Sequence, residues 1–284
     1  MNIFTTLLIQ PLANGLVLFY KILGGNMGLA IIGFSLFLRI ILNPLTKPYM
    51  KSMKKMRELS PRLEKLKAKY KDDKKGMALA QAELYKQEKI NPGSGCLPYL
   101  LQIIVLIAFF NVFTRTLSPS GDVAAKFNAI LYTPLKFAQN EVVNTKFLYL
   151  DITKPDIIPV KGLPFNVPGL PGPILILAAL VQLISAKMMA PYVEAEKQAA
   201  KKTKGQSDDI QTAMQQSTIY TFPLFTIIFG LQFSSGLALY WFLFSLYQAY
   251  QQYRSSGWGG ATPWIKKLGL LKSFSQKGQS ASQN

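Results

Sequence analysis

Arg39 is the residue whose setting most directly suggests a function. It interrupts the apolar run 34–42 and stands about seven residues before the end of its apolar segment, which is roughly 10 Å along a helix. An arginine at the centre of a membrane-spanning helix costs about 2.5–3.5 kcal/mol on insertion scales. The side chain could extend to the nearer membrane surface, or its charge could act inside the membrane. The position alone gives these two interpretations equal weight.

The residue types argue against several kinds of catalysis. The chain has no histidine, and Cys96 is its only cysteine, so a histidine general base, an intramolecular disulfide and a zinc cluster are excluded. The membrane crossings predicted below contain no Asp or Glu, and the sequence has neither a G-x-S-x-G motif nor a G-x-x-x-x-G-K-[ST] phosphate loop. We therefore expect no catalytic residue, no metal, no cofactor and no nucleotide hydrolysis.

The apolar segments are long enough to cross a bilayer. The chain has 284 residues, a net charge of +18 and a mean hydropathy of +0.18, a combination that indicates apolar segments separated by basic loops. A crossing requires about 20 mainly apolar residues. The sequence therefore predicts an all-α membrane protein with five transmembrane helices, at 27–46, 97–115, 171–190, 217–233 and 236–253.

Residues 1–26 precede the first predicted crossing. Pro11, Asn14 and Gly15 interrupt the apolar stretch in this segment. We expect an amphipathic helix over about 5–22 that lies in the outer interface of the membrane. A cleaved signal peptide over 1–20 is the less favoured alternative, because no basic residue precedes the apolar stretch.

Loop charge predicts the orientation of the chain. The segment 47–96 contains 14 basic and 6 acidic residues, and the tail 254–284 contains 5 basic and no acidic residues. The segment 116–170 is nearly balanced, with 5 basic and 4 acidic residues, as is the loop around 191–216. Since basic loops stay in the cytoplasm, we expect the N terminus outside and the C terminus inside, with 116–170 outside and 191–216 inside by parity.

The segment 47–96 is predicted to form a cytoplasmic antiparallel helical hairpin. Apolar residues recur at helical spacing from Met53 to Tyr70 and again from Met77, and the charged stretch 72–76 separates the two arms. Its basic residues have two interpretations, of which a solvated helix face near anionic lipid is favoured over a docking surface for ribosomal RNA or a targeting factor. The docking candidates are Lys54, Lys55 and Arg57.

Polar residues within the crossings favour a functional role for Arg39. Gln102 and Asn111 lie in the second crossing and Gln182 lies in the third. A water-filled cavity among the helices, open to the cytoplasm, would hydrate these groups and the guanidinium of Arg39. An anion from a client chain could then approach the arginine inside this cavity.

Several segments together resemble the YidC/Oxa1/Alb3 family of membrane insertases. The match runs from about 27 to 253 and keeps the order of the five crossings. The segments that carry it are RIILNPLT at 39–46, KSMKKM at 51–56, KINPGSGCLP at 89–98 followed by Leu101-Gln102, KMM at 187–189, and SGLALYW at 235–241.

The resemblance implies a bundle of five helices around a hydrophilic groove that is closed to the outside and open to the cytoplasm and the lipid. Arg39 matches the family's groove arginine, and Trp241 matches an aromatic lining position. Gln182 stands one turn earlier than the family's groove glutamine, whose own position here reads Ser185-Ala186. Arg39, Gln102, Asn111, Gln182 and Trp241 are therefore the predicted client-binding residues.

The implied function is insertion and folding of client transmembrane segments in the bacterial plasma membrane, with an organellar membrane as the alternative location. The implied partners are nascent membrane proteins and the lipid bilayer, with the ribosome, the Sec translocon and the signal recognition particle pathway as further candidates. A membrane enzyme is disfavoured by the missing catalytic groups. A transporter is disfavoured because no inverted repeat is present, and the apolar crossings rule out nucleic-acid binding as the main role.

Overall fold

The computed structural model describes residues 3–70, 73–89, 97–160, 162, 169–189 and 219–267. At some of these positions, including 45–54 and 97–102, it describes the backbone only. The described chain is mostly helical and divides into two compact units. The first comprises Met1–Pro48, Cys96–Gln182 and Phe222–Tyr247, and the second comprises Tyr49–Gly95, Leu183–Thr221 and Gln248–Asn284.

The described residues form α-helices and three shorter helical turns. A π-helical turn, Thr5–Ile9, leads directly into α1, and two 3-10 turns lie at Thr133–Leu135 and Gly259–Ala261. The α-helices are α1 (Gln10–Ile22), α2 (Met27–Glu58), α3 (Ser60–Lys69), α4 (Lys74–Gln87), α5 (Leu97–Thr116), α6 (Val123–Asn128), α7 (Pro173–Met189), α8 (Ile219–Gly230), α9 (Ser235–Ser256) and α10 (Thr262–Lys267).

The helices α2, α5, α7 and α8 include strongly apolar segments. The segment Met27–Pro44 of α2 is long and apolar enough to cross a membrane, and shorter apolar helices lie at Ile103–Thr116, Pro173–Met188 and Ile219–Gly230. The first unit exposes large apolar side chains on these helices, as expected for a surface that faces lipid rather than water. They include Leu36, Phe37, Ile40, Ile103, Ile107, Leu177, Leu180, Phe222, Leu224 and Ile228.

The N-terminal helix packs onto the first unit through one face. Its buried side chains recur at helical spacing and join the main core: Ile9, Ala13, Leu16, Val17 and Tyr20. Asn14, also buried, donates a hydrogen bond from Nδ2 to the carbonyl oxygen of Gln10, and its Oδ1 accepts one from the backbone N–H of Tyr132 at 2.8 Å. This asparagine therefore attaches α1 to the segment between α6 and the following 3-10 turn.

The core of the first unit is rich in aromatic rings. Phe109 of α5 stacks on Tyr240 of α9 with ring centroids 4.4 Å apart, and it also contacts Phe34 of α2 at 6.0 Å. Such pairs contribute about 0.5–1.5 kcal/mol beyond the area that they bury. These contacts join the first halves of α2 and α9 to the last half of α5.

The segment between α5 and α7 contains two short antiparallel ribbons. In the first, β1 (Lys146–Phe147) pairs with β2 (Leu150–Asp151), and in the second, β3 (Ile157–Ile158) pairs with β4 (Leu170–Pro171). Two-residue strands contribute little stability by themselves. The ribbons and the turns around them instead supply hydrogen-bond acceptors to three helix N termini.

The first of these N termini belongs to α2. Asn26 accepts a hydrogen bond from the backbone N–H of Leu29 at 3.1 Å, which makes it an N-cap, and its Nδ2 donates to the carbonyl oxygen of Lys146 at 2.9 Å. The backbone N–H of Met27 donates to the carbonyl oxygen of Asn144 at 3.0 Å. Lys146 in the first ribbon and Asn144 just before it therefore each accept one hydrogen bond from the start of α2.

The start of α9 is bound by the same segment. The backbone N–H of Ser235 donates to the carbonyl oxygen of Lys154 at 2.6 Å. The hydroxyl of Ser235 donates to the backbone carbonyl oxygen of Asp151 at 2.9 Å. The backbone N–H of Gly236 donates to the carbonyl oxygen of Ile152 at 3.2 Å. In the first turn of α7, the backbone N–H of Ile174 donates to the hydroxyl of Tyr149 and that of Leu175 donates to the carboxylate of Asp156. The residues 144–156, which we call the capping segment, therefore contact the N termini of α2, α7 and α9.

The second unit contains α3, α4 and the residues after α9. Arg62 near the start of α3 forms an ion pair with Glu88 just after α4 at 2.5 Å, and the Asp73 carboxylate caps α4 by accepting from the N–H of Gly76. Lys187 lies over the ring of Trp264 at 5.4 Å from Nζ to the ring centroid. The short helix α10 lies within the segment 254–284, and α2 extends as one helix from Met27 to Glu58, through both the predicted crossing at 27–46 and the start of the segment 47–96.

Candidate functional site

Arg39 lies in α2 against an aromatic face of α9. Its Cζ is 3.7 Å from the ring centroid of Phe244 and 5.7 Å from that of Tyr247. The first distance places the guanidinium in direct contact with the ring, and a cation–π contact of this kind contributes about 0.5–1 kcal/mol at exposed sites and about 2 kcal/mol when desolvated. Arg39 itself is half-buried. The two helices therefore meet at Arg39 through a charged and aromatic contact.

The packing changes along the two helices just before this contact. In α2 most residues between Met27 and Ser35 are buried, whereas residues 36–44 are all exposed or half-buried. In α9 residues 235–240 are all buried, and from Trp241 onwards most residues are half-buried or exposed, although Ser245 is buried. The described side chains are therefore tightly packed towards the capping segment and less tightly packed around Arg39, Trp241 and Phe244.

Ser35 is one helical turn from Arg39 and faces the same side of α2. Its side chain is 5% exposed, and its Oγ has no hydrogen-bond partner among the described residues. A buried hydroxyl without a partner costs free energy. The sequence places Ser35 four residues before Arg39, and this spacing was the available signal that both belong to one face.

Asn111 lies in α5 and is half-buried. Its Nδ2 donates to the carbonyl oxygen of Ile107 at 2.8 Å, and Thr114 on the same helix donates to the carbonyl oxygen of Phe110 at 2.8 Å. Each side chain is thus bonded to the preceding turn of its own helix, which is how polar residues are accommodated in an apolar environment. The side chain of Gln102 lies outside the described residues.

Gln182 contacts a neighbouring helix. The hydroxyl of Thr226 in α8 donates a hydrogen bond to Oε1 of Gln182 in α7 at 2.6 Å. Thr226 is 3% exposed, and Gln182 is half-buried. The structure thus gives Gln182 an interhelical partner that the sequence did not indicate.

The remaining predicted residues are placed as follows. Trp241 is half-buried at the edge of the core. Lys55 is exposed in α2, whereas the side chains of Lys54 and Arg57 lie outside the described residues. Sequence reasoning missed Phe244 and Tyr247, although their spacing of three from Trp241 was a usable signal that one helical face is aromatic.

Two polar groups of the capping segment, Tyr149 and Asp151, have pKa values that are shifted in opposite directions. Burial raises the pKa of the Tyr149 phenol; the adjacent Asp156 carboxylate raises it further, and the hydrogen bond from the Ile174 N–H lowers it. Burial also acts to raise the pKa of Asp151, but hydrogen bonds from Thr153 and Thr145 and the charge of Lys154 outweigh it and hold the pKa below its ordinary value. Both shifts fit groups that serve as fixed hydrogen-bond partners. In the part of the chain that the structure describes, no three His, Cys, Asp or Glu side chains are arranged to hold a metal ion.

The comparison with known proteins agrees with the resemblance seen in the sequence. The family model of the 60Kd inner membrane protein matches residues 18–257. A membrane protein insertase YidC from Fusobacterium nucleatum subsp. nucleatum is 33% identical over 229 residues, which cover 81% of this chain and 85% of the relative.

Another relative is considerably longer than this chain. The membrane protein insertase YidC of Pelobacter propionicus is 34% identical over 252 residues, which cover 87% of this chain but only 38% of that protein. The shared region is therefore nearly the whole of this chain and only a part of the longer relative. On the family model and the two long matches, the chain belongs to the YidC/Oxa1 family of membrane protein insertases.

Proposed function

We propose that the chain inserts and folds client transmembrane segments through a hydrophilic groove that is open to the cytoplasm, without nucleotide hydrolysis. The observation that carries this proposal is the setting of Arg39. It lies half-buried against Phe244, immediately beyond the end of the tightly packed core. A positive charge at this depth provides an attractive site for acidic groups of a client, because weaker screening strengthens the attraction.

The proposed orientation has five crossings, with the N terminus outside and the C terminus inside. It is supported by the capping segment, because the N termini of α2, α7 and α9 all bond to residues 144–156. Three helices that begin at one segment run in the same direction, as the first, third and fifth crossings must. The basic segment 47–96 and the basic tail then lie together on the cytoplasmic side.

The energetics favour a catalyst that needs no fuel. An apolar client helix gains about 0.3–0.6 kcal/mol for each Leu-like residue at its centre on insertion, so a helix of ordinary length inserts downhill. The barrier is the passage of polar tail residues through hydrocarbon, where each charge is expensive. A groove that hydrates part of this path lowers the barrier, and the exposed apolar side chains of α7 and α9 provide an exit into lipid.

The groove is proposed to be lined by Arg39, Gln102, Asn111, Gln182 and Trp241. The hairpin residues Lys54, Lys55 and Arg57 and the basic tail would face the ribosome or a targeting factor, and the Sec translocon is a further proposed partner. The proposed location is the bacterial plasma membrane. This agrees with the description of the matched family as an inner membrane protein.

The test compares three versions of the chain in a strain depleted of its own insertase. Arg39→Ala is expected to impair insertion of a client with an acidic translocated tail, whereas Arg39→Lys is expected to retain most of it. The measurement is protease protection of the tail, normalised to the amount of insertase in the membrane. Equal insertion by Arg39→Ala and the unmodified chain would contradict a role for this charge.

A further inference from the structure

The contact between Arg39 and Phe244 is the closest cation–ring contact among the described residues. The Cζ of Arg39 lies 3.7 Å from the ring centroid, compared with 5.4–5.7 Å for the other pairs of a cation and a ring. A guanidinium at this distance rests on the π-face of the ring. The two residues come from α2 and α9 and are about 200 positions apart in the chain.

A face contact restricts the guanidinium without using its hydrogen-bonding groups. The five N–H donors of arginine lie in the plane of the group, whereas the stacking interaction uses the surface above that plane. The long side chain of arginine otherwise has many rotamers and loses much entropy on binding. A ring that holds the plane in one position reduces the entropy that is lost when a carboxylate is bound.

We propose that Phe244 is a positioning residue that fixes the Arg39 guanidinium in the groove and thereby increases the preference of the protein for clients with acidic tails. Tyr247, one turn further along α9 and 5.7 Å from the same Cζ, is a weaker second contact. The inference rests on the proposed function, since it assigns a supporting residue to the charge on which that function depends.

The experiment uses two clients that differ only in the charge of the translocated tail. One tail carries Asp and Glu, and the other carries Asn and Gln at the same positions. The quantity measured is the ratio of insertion efficiencies, acidic over neutral, in membranes that contain the full-length chain. A variant that merely loosens the bundle lowers both efficiencies together and leaves the ratio unchanged.

Phe244→Leu removes the π-face and retains an apolar side chain. It is expected to lower the ratio about threefold to tenfold, the range that corresponds to a partly desolvated cation–π contact. Phe244→Tyr retains a ring and is expected to keep the ratio of the unmodified chain. Phe222→Leu is the matched control, because Phe222 is an exposed phenylalanine on α8 and has no ring contact with a cation among the described residues.

The outcomes separate this inference from the proposed function. If Arg39→Ala lowers the ratio and Phe244→Leu does not, the proposed function holds and the positioning role is wrong. If Arg39→Ala leaves the ratio unchanged, the charge-based function itself is wrong. In an Arg39→Ala background, Phe244→Leu is expected to have no further effect on the ratio, and an additional decrease would show that Phe244 acts by another route.

If Phe244→Leu fails to accumulate in the membrane, Phe244→Met and Phe244→Tyr provide the same comparison of a flexible apolar side chain with a ring.

Discussion

The carboxylate of Asp156 accepts a hydrogen bond from the backbone N–H of Leu175 at 2.9 Å, in the first turn of α7. Asp156 is buried, and it also accepts from the hydroxyl of Tyr149, whose oxygen in turn accepts from the N–H of Ile174 at 2.9 Å. The backbone N–H of Gly172 donates to the carbonyl oxygen of Asp156 at 2.8 Å. Asp156, which lies 17 positions before the start of α7, thus caps this helix as an N-cap residue would.

Asp156→Ala is expected to destabilise the protein, because it leaves the N–H of Leu175 without its acceptor. The loss of an N-cap lowers the free energy of unfolding by about 0.5–2 kcal/mol. In a chain of this size each kcal/mol corresponds to about 2–4 °C in the unfolding temperature. Thermal unfolding in detergent or lipid nanodiscs measures the change. Asp156→Asn retains an acceptor oxygen and is expected to lose less, so equal losses for both variants would contradict the capping role.

Gly172→Ala is expected to disturb the same site from the opposite side. A Cβ at position 172 would overlap the Oδ1 atom of Asp156, so the carboxylate would have to move away from its donors. In a chain that already carries Asp156→Ala the overlap is gone, and the glycine substitution should then have a smaller effect. A double-mutant cycle of unfolding temperatures checks this coupling. Strict additivity would show that Gly172 and Asp156 act independently.

The stability of the capping segment is expected to depend on pH through Asp151. Its pKa is lower in the folded protein than in the unfolded chain, so the carboxylate stabilises the fold above its ordinary pKa. This contribution is lost as the pH falls through the folded value. Asp151→Asn should therefore lower the unfolding temperature at neutral pH and have little effect once the pH is well below the ordinary carboxyl range. A difference between the two chains that does not shrink as the pH falls would contradict this explanation.

Some residues of the candidate site could be predicted from the sequence, whereas their contact partners could not. Hydropathy alone was enough to find Arg39, because a charge within an apolar run is a local signal. Phe244 could not be assigned to Arg39 in the same way, since their contact depends on how two distant helices pack. Thr226 and Gln182 are 44 residues apart, and nothing in either local sequence specifies the partner of the other.

The difference between local sequence signals and contacts of distant segments also applies to α1 and the capping segment. The predicted amphipathic segment at about 5–22 corresponds to Thr5–Ile22 in the structure, despite Pro11, Asn14 and Gly15. Pro11 lies in the first turn of α1, where the missing N–H is tolerated. The lack of a Cβ at Gly15 leaves room for the ring of Phe34. The capping segment has no such periodic pattern, because its structure depends on backbone carbonyl groups that residue types do not reveal.

The hydrogen bond between Thr226 and Gln182 allows a structural role to be separated from a role in client binding. Hydrogen bonds between transmembrane helices contribute about 0.6 kcal/mol on average and rarely more than about 1.7 kcal/mol. Thr226→Val and Gln182→Leu each remove the bond, and we expect a double-mutant cycle of unfolding free energies to give a coupling of about this size.

Client insertion distinguishes the two roles of Gln182. If the glutamine only joins α7 to α8, Gln182→Leu and Thr226→Val should reduce insertion of one client to the same small extent. If the glutamine also lines the groove, as the proposed function requires, Gln182→Leu should reduce insertion more than Thr226→Val does. Crosslinking from position 182 to a stalled client chain provides an independent measurement. Equal insertion by the two variants together with no crosslink would remove Gln182 from the client-binding residues and leave it as a link between two helices.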